Sequence, residues 1–286
     1  MRQVTFAATQ FACSWDLGRN ADSAERVTRA AATQGAQIIL LQELFATPYF
    51  CITQDDSHFA LAQPFENHPL LARFSSLARE LGVVLPVTFF EKAGQAHFNT
   101  CAMIDADGRI LGRYRKSHIP QNPGYEEKFY FSPGDTGFKV WDTAHAKIGL
   151  GICWDQWFPE AARSMALLGA EVLLYPTAIG SEPTSPGYDS ADHWEIVMRG
   201  HAGANIMPVV AANRIGLESQ NGRDVTFYGA SFIAGETGAL LAKASRDTEQ
   251  VLTATVDLDA IATLRSTWGV FRDRRPETYI HSLTGR

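Results

Sequence analysis

The chain has 286 residues, of which 45% are hydrophobic and 20% are charged, and its formal net charge is −6. This composition predicts a folded protein with a sizeable core and excludes an intrinsically disordered chain. The acidic balance argues against general binding to a nucleic-acid backbone and leaves a cationic ligand open.

The first half of the chain alternates strand-like and helical segments. Residues 38–41 are continuously apolar, as expected of a strand buried on both faces. The predicted elements, in chain order, are a strand over residues 4–9, a helix over 20–34, a strand over 38–41, a helix over 70–81, a strand over 83–90, and a hairpin formed by 99–104 and 110–114. Each predicted helix is followed by a glycine where a C-cap glycine belongs.

The second half repeats this order of elements. They are a strand over residues 147–152, a helix over 159–168, a strand over 172–175, a helix over 191–206, a strand over 209–212, a hairpin formed by 232–234 and 240–241, a strand over 251–256, and a short helix over 258–264. We infer one α/β domain over residues 1–286, in which two pseudo-repeated halves pack their sheets face to face with helices on both outer faces.

The sequence shows no pattern typical of a membrane span or of a secretion signal. No run approaches the ~18 apolar residues that cross a membrane. Residues 1–5 lead straight into a strand-like segment and lack the apolar core of a secretion signal. We therefore expect a cytoplasmic protein with no membrane and no nucleic-acid partner.

The four cysteines offer a nucleophile rather than a metal site. None belongs to a C-x-x-C pair and their surroundings lack metal-ligand spacing, so we expect no metal and no organic cofactor. All are expected to be free thiols in a reducing cytosol, and a buried structural role is the ordinary alternative for each. They are Cys13, Cys51, Cys101 and Cys153.

Cys153 is the candidate nucleophile, because it lies between a predicted strand and a predicted helix. Residues 149–155 read Gly-Leu-Gly-Ile-Cys-Trp-Asp, and the small residues before the cysteine let other backbone come close. A sharp strand-to-helix turn projects the side chain and leaves backbone N–H groups free to bind an oxyanion. A buried structural cysteine is the alternative interpretation.

A thiol needs a base or a positive neighbour to become a good nucleophile. Glu43 follows a strongly apolar strand, an unusual place for a charge unless it is paired or catalytic, and a solvated strand end is the alternative. Lys116 offers a cation that polarises a carbonyl, although most lysines are solvated surface charges. A papain-like site is disfavoured, because no local signature ties Cys153 to any of the candidate histidines, His118, His145, His193 and His201.

Three segments around these residues resemble the nitrilase, or carbon–nitrogen hydrolase, superfamily. They are Leu-Gln-Glu-Leu-Phe from residue 41, Tyr-Arg-Lys-Ser-His-Ile-Pro from residue 114, and Gly-Ile-Cys-Trp-Asp from residue 151, followed by Phe-Pro-Glu from residue 158. They occur in the superfamily's order of glutamate, lysine and cysteine, and the similarity covers essentially the whole chain. The resemblance implies a four-layer α-β-β-α sandwich.

The resemblance also implies a role for each reactive residue. Glu43 would be the general base, Cys153 the nucleophile, and Lys116 the stabiliser of the tetrahedral intermediate. The backbone N–H of Trp154 would be a second donor to the oxyanion. No metal or organic cofactor is implied.

A second glutamate after the lysine is essential in many members of the superfamily. Glu126 and Glu127 compete for this role, and the sequence Glu-Lys-Phe-Tyr-Phe from residue 127 favours Glu127. The stretch 117–138 resembles members that hydrolyse N-carbamoylputrescine to putrescine, carbon dioxide and ammonia in polyamine synthesis from agmatine. Tyr125 and Tyr130, within this stretch, are candidate substrate-binding residues.

Such a substrate carries a free ammonium group, so the pocket should present carboxylates or an aromatic face. Glu182 is the best candidate partner in a loop that also contains Asp189 and Asp192, and solvation of that loop is the alternative role for these acids. Enzymes for N-carbamoyl amino acids would need an arginine soon after the nucleophile, where this chain has Asp-Gln-Trp from residue 155. The pattern therefore favours a cationic substrate.

Other functions stay open at this stage. A hydrolase of the same class could act on another small amide, as an ω-amidase or an aliphatic amidase does. A non-catalytic binding protein of the same fold is disfavoured, because Glu43, Lys116 and Cys153 are all present. The resemblance also implies a homo-oligomer, a dimer or larger, with residues 263–286 as a candidate interface and a solvated tail as the alternative.

Overall fold

The structure is a computed structural model that describes residues 1–283 of the chain. In its first half, two helices alternate with strands and precede an antiparallel run. These elements are β1 (Gln3–Gln10), α1 (Leu17–Thr33), β2 (Ile38–Leu40), α2 (Pro69–Leu81), β3 (Leu85–Ala93), β4 (Ala96–Ile104) and β5 (Ile110–Arg115). Two short 3₁₀ turns, Phe50–Ile52 and Asp56–Leu61, lie between β2 and α2.

The second half contains the elements predicted for it and several more. They are α3 (Glu127–Tyr130), β6 (Val140–Asp142), β7 (Lys147–Leu150), α4 (Pro159–Leu167), β8 (Val172–Pro176), α5 (Ala191–Asn205), β9 (Val209–Ala212), β10 (Ile215–Gln220), β11 (Arg223–Tyr228), β12 (Phe232–Ala234), β13 (Leu240–Lys243), β14 (Gln250–Asp257), α6 (Leu258–Trp268) and α7 (Pro276–Leu283). The C-terminal segment predicted as an interface forms the end of α6 and α7, and its residues 284–286 lie outside the described residues.

Several helix ends follow the local chemistry of their capping residues. Asp16 caps α1 and Asp257 caps α6, and each carboxylate accepts hydrogen bonds from N–H groups of the first turn. Gly82 ends α2 with a φ of +66°, as the sequence predicts for a C-cap glycine.

Two sheets occupy the centre of the molecule. In the first, the order β14-β1-β2 continues into β3-β4-β5 through hydrogen bonds from Ile39 N to Val84 O (3.0 Å) and from Val84 N to Gln37 O (2.8 Å). The second has the order β13-β12-β9-β8-β7-β6. Strands β7, β8 and β9 pair in parallel, so their carboxyl ends share one edge, where ligands of such sheets usually bind.

The two sheets pack face to face and the helices cover their outer faces. Ile38 and Leu40 join Leu174 in the core between the sheets, whereas Ile39 packs with Phe74 of α2 on the outer face of the first sheet. A third core lies between the second sheet and helices α4 and α5. The four-layer α-β-β-α sandwich is confirmed, and burial on both faces explains why β2 is continuously apolar.

The structure contains a hairpin that the sequence prediction missed. Strands β10 and β11 pair around Asn221 and Gly222, whose φ angles are +48° and +76°. Asn-Gly is the preferred pair for a two-residue hairpin turn, so the signal was available in the sequence. The hairpin packs Val225 and Phe227 against the loop that contains Tyr49.

The three reactive residues predicted from the sequence lie at neighbouring strand ends. Glu43 N donates to Thr177 O (3.3 Å), which joins the segment after β2 to the segment after β8. Lys116 N donates to Asn99 O (2.9 Å) and continues the pairing of β5 with β4. Cys153 follows β7, so residues far apart in the sequence converge at one edge of the sandwich.

Among the described residues, no helix combines the length and the apolar character that crossing a bilayer requires.

Gly134 lies where the chain passes close to the end of β5, and its substitution tests this packing. Its N–H donates to Lys116 O (2.8 Å), and a Cβ built on it would lie 2.1 Å from Arg115 O. We expect Gly134→Ala to destabilise the fold by about 1–3 kcal/mol, because well-packed backbone would have to shift. Denaturant unfolding measures the change.

Gly200→Ala is the matched control for this substitution. Gly200 lies in α5 with nothing within 4 Å of an added Cβ. Alanine there should raise stability by about 0.5–1 kcal/mol, because glycine is a poor residue for a helix interior. An unfolding midpoint of Gly134→Ala equal to that of the unsubstituted protein would contradict the close approach.

Candidate active site

Cys153 lies in an unfavourable backbone conformation directly after β7. It opens the 3₁₀ turn Cys153–Trp157 with a φ of +43°, which costs a non-glycine residue on the order of 1–3 kcal/mol. The side chain is buried, and its Sγ lies 3.7 Å from Ala178 O. Conformations of this kind persist where the surroundings hold them, and they cluster at functional sites.

Lys116 places a buried ammonium group between two buried carboxylates. Its Nζ donates to Glu43 Oε1 at 2.8 Å and to Glu127 Oε2 at 2.7 Å, and all three side chains are 0% exposed. We call these three residues the triad. Burying an unpaired charge costs several kcal/mol, so each carboxylate depends on the single ammonium group that faces it.

Each carboxylate of the triad has a further hydrogen-bond donor. Asn99 Nδ2 donates to Glu43 Oε1 (2.7 Å), and Tyr49 Oη donates to Glu127 Oε1 (2.6 Å). Glu43 Oε2 is buried and has no hydrogen-bond partner among the described residues. This oxygen atom is therefore available to accept a proton from a thiol or from water.

The two adjacent glutamates have different surroundings. Glu127 begins α3 and contacts Lys116, whereas Glu126 pairs with Arg223 (3.0 Å) and accepts a hydrogen bond from Gln54 Nε2 (3.0 Å). Of the two candidates for the second essential glutamate, Glu127 thus contacts Lys116 and belongs to the triad, whereas Glu126 lies outside it.

Burial and mutual charge determine the protonation of the site. Burial lowers the pKa of Lys116, but the charges of Glu127 and Glu43 outweigh this effect and raise that pKa well above its usual value. Burial raises the pKa of Glu127 to about 7, against the opposing charge of Lys116 and with a further contribution from Glu43. Burial and then the charge of Glu43 raise the pKa of Cys153 well above its usual value, so the resting thiol is protonated.

A cavity of about 390 Å³ opens onto Cys153. This volume suits a small organic molecule. Residues from loops after several strands line the cavity, among them Tyr49, Tyr125, Glu127, Trp154, Trp157 and Glu182.

Two of the predicted substrate-binding residues, Tyr125 and Glu182, line the cavity. Tyr125 Oη accepts a hydrogen bond from Gly180 N and donates to Ser181 O, both at 3.0 Å. Glu182 is half-buried and accepts a hydrogen bond from Ser190 Oγ (3.0 Å), and burial raises the pKa of its carboxyl. The cavity therefore has a carboxylate at a second position besides the triad.

The structure places Trp154 at the cavity and corrects the prediction for Tyr130. Trp154 lies in the first residues of its 3₁₀ turn, where N–H groups have no acceptor within the turn itself. Tyr130 is not among the described residues that line the cavity. Its Oη donates to Thr53 O (2.6 Å) and accepts from Asp55 N (2.9 Å), because α3 directs this side chain into an aromatic cluster with Phe50.

Comparison with known proteins identifies the family. Residues 5–266 match the family described as Carbon-nitrogen hydrolase. The chain belongs to the carbon–nitrogen hydrolase family. It is therefore an enzyme that cleaves carbon–nitrogen bonds, and the resemblance found in its sequence is confirmed.

Individual relatives of this carbon–nitrogen hydrolase match over nearly its full length. An Arabidopsis thaliana protein called N-carbamoylputrescine amidase is 60% identical over 99% of this chain and 96% of its own. A Francisella tularensis protein called citrullinase is 51% identical over 98% of both chains. The crystal structure of a carbon–nitrogen hydrolase from Helicobacter pylori G27 has a TM-score of 0.90 and 38% identity, and the match covers 99% of each chain.

Sequence reasoning missed three residues that hold the glutamates of the triad in this hydrolase. Tyr49 lies in a loop and Asn99 in a strand, and nothing local to either residue marks it. Arg214 is fully buried, donates to Glu43 O (2.7 Å) and pairs with Glu218 (2.9 Å). Its signal was a charge just beyond a continuously apolar strand, which is the same pattern that singled out Glu43.

Glu43→Gln tests the general base. Because the resting thiol is protonated, removing the base should lower kcat about 10²–10⁴-fold on any amide that the unsubstituted enzyme hydrolyses. Ammonia release measures the rate. Glu126→Gln, a neighbouring change outside the triad, should keep kcat within threefold, and a loss below tenfold for Glu43→Gln would exclude Glu43 as the base.

Glu127→Gln tests the protonation of the triad through stability. A folded-state pKa of about 7, above the usual 4.5, means that the folded protein binds this proton more tightly than the unfolded chain does. The resulting stabilisation is present below about pH 4.5 and is lost as the pH rises through 7, whereas glutamine does not titrate. Unfolding midpoints at about pH 5 and pH 8 should show the unsubstituted enzyme losing stability relative to the variant, and a constant difference would contradict the raised pKa.

Proposed function

We propose that this hydrolase converts N-carbamoylputrescine and water to putrescine, carbon dioxide and ammonia. The observation that carries the proposal is one cavity that joins Cys153 and the triad to the separate carboxylate of Glu182. The relative called N-carbamoylputrescine amidase supports the same substrate.

The far end of this substrate is an ammonium group, and the cavity suits it. Glu182 supplies a negative charge that is partly shielded from water, and Tyr125 and Tyr188 add aromatic surface nearby. Among the described residues that line the cavity there is no lysine or arginine. Arg163, which follows the nucleophile in the sequence, donates to Ala204 O and stacks on the ring of Phe271 instead.

The first half of the reaction acylates the cysteine. Glu43 takes the proton of the Cys153 thiol, and the thiolate adds to the ureido carbon to form a tetrahedral intermediate. Lys116 Nζ and the N–H of Trp154 stabilise the oxyanion. Glu43 then gives its proton to the departing nitrogen, ammonia leaves, and a carbamoyl thioester remains on Cys153.

The second half releases the product. Glu43 accepts a proton from water as the water attacks the thioester carbon, and the second tetrahedral intermediate expels the sulfur of Cys153. The thiolate takes the proton back from Glu43. The released carbamate loses carbon dioxide and leaves putrescine, so all atoms of the substrate and the water are accounted for.

Citrulline is the substrate that competes most directly with this assignment, because one relative is called citrullinase. Citrulline carries the same ureido group and an ammonium group, together with a carboxylate at the far end. That carboxylate would lie close to Glu182 with no lysine or arginine of the described cavity lining to face it. A buried, unpaired charge is strongly unfavourable, so the cavity favours the amine without a carboxylate.

A homo-oligomer is the arrangement that we propose for the enzyme. Its outer helices carry exposed apolar side chains, including Leu168 after α4 (57%), Ile196 of α5 (64%) and Trp268 of α6 (70%). An interface formed by these helices would remove such side chains from water, which is favourable. We also propose a cytosolic location, which the four free thiols support.

A comparison of three ureido substrates tests the proposed function. We expect ammonia release from N-carbamoylputrescine with a kcat/KM at least about a hundredfold above that for citrulline or N-carbamoyl-β-alanine, because both competitors bring a carboxylate to Glu182. Cys153→Ala should abolish release. Glu182→Gln should raise KM for the amine while leaving kcat within a few-fold.

The opposite ranking of these substrates separates the alternatives. Faster release from citrulline would replace the proposed substrate and keep the hydrolase chemistry. Release only from uncharged amides such as butyramide would favour an aliphatic amidase, release only from ω-amides such as succinamate would favour an ω-amidase, and either result would contradict the role of Glu182.

A further inference from the structure

A buried carboxylate outside the triad ties together the two segments that carry the reactive lysine and cysteine. Asp155 is 0% exposed. Its Oδ2 accepts hydrogen bonds from Ile152 N (2.9 Å) and Tyr114 Oη (2.8 Å), and its Oδ1 accepts from His118 N (2.9 Å) and His118 Nδ1 (2.7 Å). No step of the proposed reaction uses this carboxylate.

The donors to Asp155 flank the reactive residues. Ile152 directly precedes Cys153, whereas Tyr114 and His118 lie two residues before and two residues after Lys116. One carboxylate therefore fixes the position of the cysteine turn relative to the end of β5. The hydrogen bonds from Tyr114 and His118 run between segments of the two different sheets, because β5 and β7 belong to different sheets.

The turn at Cys153 needs such a support. A φ of +43° is unfavourable for a residue with a side chain and persists only where the surroundings over-determine it. Asp155 closes the turn from within, because its N–H donates to Ile152 O (3.1 Å) while its carboxylate accepts from Ile152 N. The rings of His118 and Phe158 stack at 3.7 Å between centroids and add a second contact between the same two segments.

We propose that Asp155 is a positioning residue that holds the Cys153 turn in register with Lys116. It acts through Ile152, Tyr114 and His118 and does not touch the substrate. The proposal rests on the roles of Cys153 and Lys116 given under the proposed function. A reacting group displaced by about 1 Å can lose on the order of a hundredfold in rate, which is the size of effect expected here.

Asp155→Asn is the substitution that tests this role. Asparagine keeps the shape of the side chain but replaces one acceptor oxygen by an NH₂ donor. The two hydrogen bonds that this oxygen accepts are lost, and the new NH₂ group faces the two donors that made them. We expect kcat on N-carbamoylputrescine to fall about a hundredfold, with KM within threefold because Glu182 is untouched. Alkylation of Cys153 by iodoacetamide, followed by peptide mass spectrometry, should slow at least about tenfold.

Two further variants separate positioning from loss of stability. Asp257→Ala removes the cap of α6, far from the site, and should lower stability without changing kcat. Tyr114→Phe removes one donor and should lower kcat about fivefold, with no additional loss when it is combined with Asp155→Asn. If Asp155→Asn does not fold, Tyr114→Phe decides, and an unchanged kcat in that variant overturns the proposal.

Failure of the proposed function is distinguishable from failure of this proposal. If the unsubstituted enzyme leaves N-carbamoylputrescine intact, the substrate assignment fails. The alkylation rates of Cys153 in the unsubstituted enzyme and in Asp155→Asn can still be compared directly. Slower alkylation in Asp155→Asn supports the positioning role. Alkylation at the unsubstituted rate overturns it, as does a loss of kcat matched by Asp257→Ala.

Discussion

The ammonium group of Lys116 is the charge on which the rest of the site depends. It is buried between Glu43 and Glu127, and without it these two buried carboxylates would lose the ammonium group that pairs with both of them. The α-β-β-α sandwich supplies the burial by bringing several strand ends to one edge. Asn99 and Tyr49 donate second hydrogen bonds to Glu43 Oε1 and Glu127 Oε1, which Lys116 also contacts, so Glu43 Oε2 is the one carboxylate oxygen of the triad without a partner among the described residues.

In the proposed mechanism, this arrangement lets Cys153 act as the nucleophile without a histidine partner. A thiolate–imidazolium pair keeps its nucleophile ionised at rest, whereas burial and the charge of Glu43 keep the Cys153 thiol protonated. In the proposed mechanism, the thiolate is therefore generated at the moment of attack, with the proton moving to the unpartnered oxygen of Glu43. The same oxygen can return that proton to the leaving group, so a single carboxylate serves both directions of proton transfer.

The fold and the grouping of Glu43, Lys116 and Cys153 at one edge of the sandwich were predictable, because both follow local rules. Charges directly after apolar strands marked Glu43, and a strand-to-turn junction marked Cys153. The supporting residues were not predictable in this way, because Tyr49 and Asn99 acquire their roles only through contacts far along the chain. Tyr130 was predicted to bind substrate but is not among the described residues that line the cavity. It lies three residues beyond Glu127 on a short helical turn, which places its ring in an aromatic cluster.

Under the proposed function, the chemistry and the substrate recognition of this enzyme are anchored on different parts of the fold. The triad and Cys153 are fixed by strand ends and buried hydrogen bonds, whereas Glu182 lies in the connection between β8 and α5. Replacing that connection would leave every reactive group in place. Under the proposed function, a lineage of such enzymes can therefore diverge in substrate by remodelling one loop while the same buried charges carry out the chemistry.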